Sequence, residues 1–404
     1  MTVLQFLLVG ALGLVATAGL LFASLPPVPA DAPEAGEEVV YDHAYDAPIG
    51  AANEIFVEML NSLGLPGASV SVGVGGAVVW SRAAGYADVA ERRPWTLQTA
   101  SRIGSVSKSV TSLAVGKLVE RGVLDLDASI GQYALPFPAY PITPRQLATH
   151  TSGIRHYDLG LGFGVLPSAE MLSNTHYASV NDALQIFADS PLLFEPGTGF
   201  NYSTYGYTLL SAVIEAASGA AFVDVIADEV FTPLGMRHTT PEFQDLTGFE
   251  TASYYTSFAG KLMNAPEVDH SNKWAGGGLL STPTDLVRMA NALMFESFLK
   301  PETVEMLLTP QRLRNGEVNE QNYAIGWRVD TINFVSGDAD VASYQAVHHG
   351  GTSNGASAFL VMFPDLGIAV AMTTNALTLD RSTFVISAYR IAKRFIEFLG
   401  EPGA

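Results

Sequence analysis

The stretch GSVSKSVTSLAVGKLVERG (residues 104–122) decides how the rest of the chain is interpreted. Its apolar residues recur three or four positions apart, the spacing of one face of an amphipathic helix. These residues are Val106, Val110, Leu113, Ala114 and Leu118. Gly122 stands where a glycine commonly ends a helix. Such a helix places Ser105 and Lys108 one turn apart on the same face, so their side chains would meet.

The Ser105/Lys108 pair has two interpretations. In one, Ser105 caps the helix and Lys108 is a solvated surface charge. In the other, Lys108 removes the proton from the Ser105 hydroxyl, which is a weak nucleophile and needs a base. Burial lowers the pKa of a lysine towards that role, and the N–H of Ser105 at the helix start could stabilise an oxyanion. The S-x-x-K spacing is too common to decide between them.

Strand patterns lie at both ends of the chain. Residues 68–88 (ASVSVGVGGAVVWSRAAGYAD) read as two strands, and the runs 342–349, 356–364 and 366–375 are short, apolar and separated by turn residues. Between about residues 125 and 300 the pattern is mainly helical. The sequence therefore predicts an α+β fold, an α/β sandwich, in which helices flank an antiparallel sheet built from both chain ends and a mainly helical subdomain is inserted.

Two downstream motifs favour the catalytic interpretation of the Ser105/Lys108 pair. Tyr202-Ser203-Thr204 lies about one hundred residues on, and His348-His349-Gly350 lies between two predicted strands. With Ser105-Val106-Ser107-Lys108, this order resembles the serine β-lactamase and penicillin-binding protein superfamily, in its class C-like branch. SGIRHY, STYGYTLL and SNKWAGGG are especially similar to the mitochondrial serine β-lactamase-like proteins and their bacterial relatives. The resemblance covers about residues 50–398 and implies a β-lactamase/transpeptidase-like fold.

The resemblance implies a role for each motif. Ser105 would be the acylated nucleophile, Lys108 would accept or relay its proton, and Tyr202 would act as a proton shuttle, as a tyrosinate or through a hydrogen bond to Lys108. His348 would take the cation position of the third motif and orient a substrate carboxylate or Tyr202. The oxyanion hole would combine the N–H groups of Ser105 and Gly351.

Substrate binding is predicted at Thr204, His349 and Gly350, where glycine lets the strand lie close to the substrate. Thr204 stands where the class C-like pattern has asparagine, and a histidine replaces the lysine of true β-lactamases. A histidine is not a permanent cation for a β-lactam carboxylate. These departures favour a peptidase or esterase that uses the same acyl-enzyme. A D-alanyl-D-alanine carboxypeptidase or weak β-lactamase, and a filament-forming or binding protein with little turnover, are the alternatives.

The N-terminal segment is strongly apolar. Residues 3–25 contain no charged side chain, a length that can cross a bilayer, so residues 1–25 are expected to be a transmembrane anchor or a signal peptide. Residues 26–48, rich in proline, alanine and acid, are predicted to be a linker to a domain spanning residues 49–400. The domain would then lie outside the cytoplasm, in the periplasm or cell envelope.

The charge and the cysteine and histidine content of the chain limit which ligands and cofactors it is expected to bind. A net charge of −19 argues against nucleic-acid binding, which needs a basic surface for phosphates. The absence of cysteine excludes thiolate nucleophiles and zinc thiolates, and no histidine spacing typical of a metal site occurs. We therefore expect no metal and no cofactor. The expected partners are a small peptide or ester substrate and a membrane through the N-terminal segment. A homo-oligomer or filament of the chain is a further alternative.

Overall fold

A computed structural model describes residues 23–32, 36–138, 140–160, 168–295, 298–336, 340–377 and 380–400. The helices are α1 (Asp46–Leu63), α2 (Ser107–Glu120), α3 (Pro144–Ala148), α4 (Val180–Leu184), α5 (Thr204–Ser218), α6 (Phe222–Ile226), α7 (Thr232–Leu234), α8 (Trp274–Gly277), α9 (Pro283–Met294), α10 (Pro301–Leu308) and α11 (Arg381–Leu399). Short 3₁₀ turns cover His43–Tyr45, Gly104–Val106, Ile130–Gln132 and Pro364–Leu366, and a π-helical turn covers Ala227–Phe231.

The strands are β1 (Gly36–Val40), β2 (Gly67–Val74), β3 (Ala77–Asp88), β4 (Arg93–Pro94), β5 (Ser101–Arg102), β6 (Thr240–Pro241), β7 (Tyr255–Phe258), β8 (Lys261–Asn264), β9 (Leu279–Ser281), β10 (Arg328–Ser336), β11 (Asp340–Ser353), β12 (Ala356–Phe363), β13 (Ile368–Thr374) and β14 (Ala376–Leu377). The main sheet has the order β1-β3-β2-β13-β12-β11-β10, and β4 pairs with β3. Strand β2 pairs antiparallel with β13, with Val72 opposite Val370. This pairing joins the two chain ends and confirms the predicted sheet.

Two cores cover the two faces of this sheet, because successive side chains of a strand point to opposite faces. On β12, Phe359, Val361 and Phe363 pack into the core that contains α1 and α11. The alternate residues Ala358, Leu360 and Met362 pack into the core that contains α2, α5 and α9. Burying one such side chain stabilises the fold by about 1.5–3 kcal/mol. The sheet is therefore sandwiched between helices, as predicted.

The central helix α2 differs from the amphipathic helix that its sequence predicts. Its residues from Ser107 to Gly116 are all buried, so polar as well as apolar faces lie in the protein interior. The small hydroxyls are satisfied by backbone carbonyls: Ser109 Oγ donates to Gly326 O at 2.7 Å and Thr111 Oγ1 donates to Ala275 O at 2.8 Å. Buried polar groups need such partners. Lys108 shares this buried environment.

The predicted linker, residues 26–48, is largely folded onto the domain. Its residues 36–40 form β1, which pairs antiparallel with β3 and places Glu38 opposite Arg82. Further upstream, Pro26 O accepts from Leu262 N at 2.9 Å. Helix α1 also begins at Asp46, before the predicted domain start at residue 49. The unpaired N–H and C=O groups at a sheet edge can pair with a further strand, and here the edge of β3 pairs with β1.

The inserted region also differs from its prediction of about residues 125–300. It contains the short strands β6 to β9, and its last helix, α9, packs directly on the main sheet. A methyl group added at Gly73 of β2 would lie 2.6 Å from a side-chain carbon of Val287 on α9. Helix α9 therefore belongs to the layer that covers the sheet.

Within the described residues, no single helix is long and apolar enough to span a membrane. Helices Thr204–Ser218 and Phe222–Leu234 pass that test only as a pair, by length and composition, with a bend of 84° between them. The predicted anchor or signal, residues 1–25, lies outside the described residues except for its last three.

Candidate active site

Ser105 lies in the 3₁₀ turn that feeds α2, one turn before Lys108. The turn requires glycine at position 104, where φ is +48° and an added Cβ would lie 2.6 Å from the backbone N and O of Thr352. Ser107 anchors the same turn by donating from Oγ to Gly104 O at 2.7 Å. The start of α2 is thereby held against strand β11.

Lys108 is fully buried, with its ammonium nitrogen surrounded by uncharged oxygen atoms. The Nζ atom lies 3.2 Å from Ser105 Oγ and 3.1 Å from Thr204 Oγ1, and it donates to the carbonyl of Gly276. Burial lowers the pKa of Lys108 well below the ordinary lysine value, and the cations of Arg328 and Lys273 lower it further. A lysine in this state can accept a proton at neutral pH.

Tyr202 lies beside this pair. Lys108 Nζ is 4.8 Å from the centre of the Tyr202 ring, so the ammonium faces the ring rather than the hydroxyl. Burial raises the pKa of Tyr202 far above its usual value, and the neighbouring Ser105 side chain offsets only part of the rise. The hydroxyl is buried and makes no hydrogen bond of normal geometry among the described side chains.

Two histidines hold the backbone that follows Tyr202. His150 Nδ1 accepts from Ser203 N at 3.1 Å, and His156 Nδ1 accepts from Thr204 N at 3.2 Å. Burial lowers the pKa of His156 to about 3 and that of His150 well below 6.5, so both are neutral acceptors near neutral pH. His156 was not singled out in the sequence, because its contact with residue 204 joins two segments far apart in the chain.

The third motif is shifted by one residue from its predicted position. His348 lies on the face of β11 that turns towards α11, where its Nε2 is 2.9 Å from Asp330 Oδ2 and its ring centre is 6.3 Å from that of Tyr389. His349 points to the opposite face, towards Tyr202 and Tyr323. It is fully buried, its Nε2 lies 2.9 Å from Tyr323 Oη, and its ring centre is 6.2 Å from that of Tyr202. The pleat of the strand sends adjacent side chains to opposite faces.

The glycine requirement shifts in the same way. An added Cβ at Gly351 would lie 1.9 Å from the carbonyl oxygen of Ile103, immediately beside Ser105. At Gly350 it would meet only a ring carbon of Phe359, at an ordinary 3.6 Å. The residue of β11 that must be glycine for the strand to lie against the backbone before Ser105 is therefore Gly351, and the predicted contact of Gly350 with substrate stays a prediction.

The hairpin register moves the predicted oxyanion donor as well. Strands β11 and β12 pair with Ser353 opposite Ala356 around a two-residue loop. Such a hairpin closes on a hydrogen-bonded pair, and hydrogen-bonded pairs alternate along the ladder. The N–H of Gly351 then points to β12, whereas that of Thr352 points away from β12, towards Gly104 and Ser105. In this register the N–H on the Ser105 side of β11 is that of Thr352, whereas the sequence predicted that of Gly351 as the oxyanion donor.

A matched pair of substitutions tests this register. Gly351→Ala is expected to lower the free energy of unfolding by about 1–3 kcal/mol or more, because the new methyl group overpacks against Ile103 O. Gly350→Ala is expected to change it by less than about 0.5 kcal/mol. Urea unfolding followed by circular dichroism measures both. Equal losses of stability in the two variants would contradict the assignment of the close backbone contact to Gly351 alone.

A narrow pocket opens over Ser105. Its lining includes Ser105, Thr204, His270, Lys273, Gly277 and Thr352. The sequence did not indicate His270 and Lys273, because HSNKWAGGG (residues 270–278) contains no spacing typical of a functional motif. Lys273 is half-buried, and burial lowers its pKa to about 8.

A buried ionic network supports the hairpin at the pocket edge. Arg102 donates from Nε and Nη2 to the Glu242 carboxylate at 2.8–3.0 Å and from Nη1 to Asn354 O at 2.7 Å. Glu242 Oε2 also lies 2.7 Å from His270 Nδ1, and His270 Nε2 is 3.4 Å from Ser353 Oγ. Arg102 and His270 thereby hold Ser353 and Asn354, the residues that follow Thr352, in place.

Comparison with known proteins identifies the family of the chain. The family profile described as Beta-lactamase matches residues 52–391, most of the chain. The chain belongs to the beta-lactamase family. Human "Serine beta-lactamase-like protein LACTB, mitochondrial" is 31% identical over 398 residues, covering 78% of this chain and 72% of that protein. "Penicillin-binding protein 4*" of Bacillus subtilis is 29% identical over 267 residues, covering 63% of this chain and 57% of that protein.

Among solved structures, this beta-lactamase family member is similar to the octameric penicillin-binding protein homologue from Pyrococcus abyssi. The TM-score is 0.68 at 26% identity, covering 87% of this chain and 77% of that one. Membership makes the protein a serine hydrolase of the β-lactamase and penicillin-binding protein class. It also confirms the resemblance drawn from the three motifs.

Proposed function

We propose that the protein is a serine peptidase or esterase that forms an acyl-enzyme on Ser105. The observation that carries the proposal is the fully buried Lys108, whose Nζ lies 3.2 Å from Ser105 Oγ and whose hydrogen-bond partners among the described residues are all uncharged oxygens. A lysine with no role in chemistry would be exposed or paired, because burying a lone ammonium is costly. A role as a general base, which requires a lowered pKa, accounts for the burial of Lys108.

In the first step, Lys108 takes the hydroxyl proton as Ser105 Oγ attacks the substrate carbonyl carbon. The carbonyl electrons move to the oxygen, and the N–H groups of Ser105 and Thr352 hold the oxyanion. The ammonium of Lys108 then returns its proton to the departing nitrogen or oxygen, beside the Tyr202 hydroxyl. Because burial raises the pKa of Tyr202, its hydroxyl acts there as a neutral hydrogen-bond donor rather than as a tyrosinate. Water releases the acyl group by the same path in reverse.

The environment of His349 supports a peptide or ester over a β-lactam. Burial lowers its pKa well below 6.5, so the third motif offers a neutral imidazole where a permanent cation would pair with a β-lactam carboxylate. Thr204 lines the pocket, but its Oγ1 accepts a hydrogen bond from Lys108 Nζ at 3.1 Å, and threonine has no amide group to donate to a substrate. The similarity to "Penicillin-binding protein 4*" keeps a D-alanyl-D-alanine carboxypeptidase or weak β-lactamase as the second candidate.

Activity-based labelling tests the proposal. Fluorescent fluorophosphonate and fluorescent penicillin are each incubated with the wild type and with Ser105→Ala, and the labelled peptide is located by mass spectrometry. We expect fluorophosphonate to label wild-type Ser105, Ser105→Ala to stay unlabelled, and penicillin to label weakly. Absence of fluorophosphonate labelling contradicts the serine hydrolase mechanism. Fast penicillin acylation with fast release would instead favour the β-lactamase alternative.

Assembly and location are further parts of the proposal. The octameric homologue from Pyrococcus abyssi supports a homo-oligomer or filament, to be checked by light scattering across protein concentrations. A single monomeric mass at every concentration contradicts it. The apolar segment 3–25 supports export or membrane anchoring. Fractionation of cells that express the full chain tests this, and recovery only in the cytosol contradicts it.

A further inference from the structure

Lys273 stands at the pocket edge on a fixed backbone. Its own N–H donates to His270 O at 2.9 Å, and its carbonyl accepts from Gly276 N at 3.0 Å and Gly277 N at 2.8 Å. The same short helix, α8, supplies the Gly276 carbonyl that holds Lys108 and the Gly277 that lines the pocket. The backbone that positions Lys273 is therefore continuous with the helix that holds Lys108.

The ammonium of Lys273 makes no hydrogen bond or ion pair within the described part of the chain. Its contact of electrostatic character is with the ring of Tyr157, whose centre is 5.5 Å from Nζ. The nearby carboxylates are committed elsewhere. Glu242 binds Arg102 and His270, and Asp269 accepts from Ser271 N at 2.7 Å and lies 2.9 Å from His176 Nδ1. Among the described residues, this pocket-lining cation therefore has no counterion.

The charge of Lys273 persists near neutral pH. Burial and the cation of Arg102 lower its pKa to about 8, while Glu242 and Asp269 act in the opposite direction. A group with this pKa is mostly protonated at pH 7. A half-buried cation without a partner is unfavourable, and a bound anion would relieve that cost. The other cations near Ser105 serve different partners: Arg328 donates to Gln321, and Lys108 binds Ser105 and Thr204.

We propose that Lys273 binds a carboxylate of the substrate while the reacting carbonyl carbon lies at Ser105 Oγ. The third motif supplies a neutral His349, so the cation for an anionic substrate comes from α8 on the pocket edge. The substrates selected would be esters or peptides that carry a carboxylate near the scissile bond. This inference rests on the proposed function of Ser105.

Two esters of similar length test the inference. Mono-p-nitrophenyl succinate carries a carboxylate, and p-nitrophenyl butyrate does not. Lys273→Met is expected to lower the ratio of kcat/KM for the succinate to kcat/KM for the butyrate about 10- to 100-fold, mainly through KM for the succinate, whereas the loss of the Lys273 charge beside Lys108 acts on both esters alike and cancels in this ratio. Lys273→Arg should restore part of the loss. Lys300→Met, which removes one exposed positive charge elsewhere, is the control for net charge and should resemble the wild type.

The outcomes separate the two proposals. Equal losses for both esters, or no loss for the succinate, overturn the role of Lys273 while leaving Ser105 acylation intact. A binding readout that needs no turnover is calorimetric titration of glutarate into Ser105→Ala and Ser105→Ala/Lys273→Met. The second variant is expected to bind at least about tenfold more weakly. Equal glutarate affinity overturns the inference even if no ester is hydrolysed, and absence of labelling at Ser105 concerns the proposed function alone.

Discussion

Lys108→Met is expected to slow the acylation of Ser105 by fluorophosphonate about 10²- to 10⁴-fold, the usual loss when a positioned base is removed. Methionine fills a similar volume but cannot take the hydroxyl proton. Acylation would be measured as the rate of probe incorporation. Lys117→Met is the matched control, since Lys117 lies on the same helix and its ammonium contacts Phe298 rather than the site. A wild-type rate in Lys108→Met would assign the base to another residue.

The pH dependence of the wild type follows from the same pKa. Below its pKa, Lys108 is an ammonium ion and cannot accept the proton of Ser105, so the acylation rate should rise with pH and then level off. Burial, Arg328 and Lys273 lower the pKa, and the plateau should therefore begin well below about 10.4, the value of an exposed lysine. A rate that still climbs at pH 10 would mean that Lys108 titrates as an ordinary lysine.

The order of the motifs and the sheet could be predicted from the sequence, but the register of the third motif could not. The residues HHGG (348–351) fit an H-x-G pattern in two ways, starting at His348 or at His349. Strand alternation would choose between them only if one sheet face were polar. Here both faces are covered by helices, so Ala346 and Val347 enter different cores and the sequence around them is apolar throughout.

Contacts between distant segments account for the other differences. The strand Gly36–Val40 contains two glutamates and follows a proline-rich tract, and only its pairing with β3 makes it a strand. Lys273 has no local signal, because its importance comes from the pocket that α2, α8 and β11 form together. Local propensity and periodicity contain no information about which segments will be neighbours.

The largest expected loss of stability concerns Glu242. Removing one partner of a buried ion pair leaves the other charge uncompensated and typically costs about 3–5 kcal/mol. The side chains of Arg102 and Glu242 are only 7% and 18% exposed. Glu242→Ala is therefore expected to lower the free energy of unfolding by about that amount in urea denaturation. The exposed pair Arg390–Glu58, with side chains 45% and 59% exposed, is the control, and Glu58→Ala should cost less than about 1 kcal/mol.

The pH dependence of stability gives Glu242 a second signature. Burial alone would raise its pKa, but His270 and Arg102 overcome that effect and hold the pKa at about 2. Because this is below the unfolded value of about 4.3, the stabilisation is complete above that pH and is lost as the pH falls towards 2. The stability difference between wild type and Glu242→Ala should shrink over that interval. A difference that stays constant down to pH 2 would show that packing, not charge, explains the loss.

Glu242 also connects stability to catalysis through the hairpin that carries Thr352. Arg102 holds Asn354 O, and His270 lies beside Ser353 Oγ, so weakening the network should displace the Thr352 N–H from the oxyanion position. The isosteric Glu242→Gln retains the shape but weakens the pairing. We expect it to fold and to be acylated at least about tenfold more slowly than the wild type, since misplacing one oxyanion donor is costly. A Glu242→Gln protein that is destabilised yet acylated at the wild-type rate would confine Glu242 to a structural role.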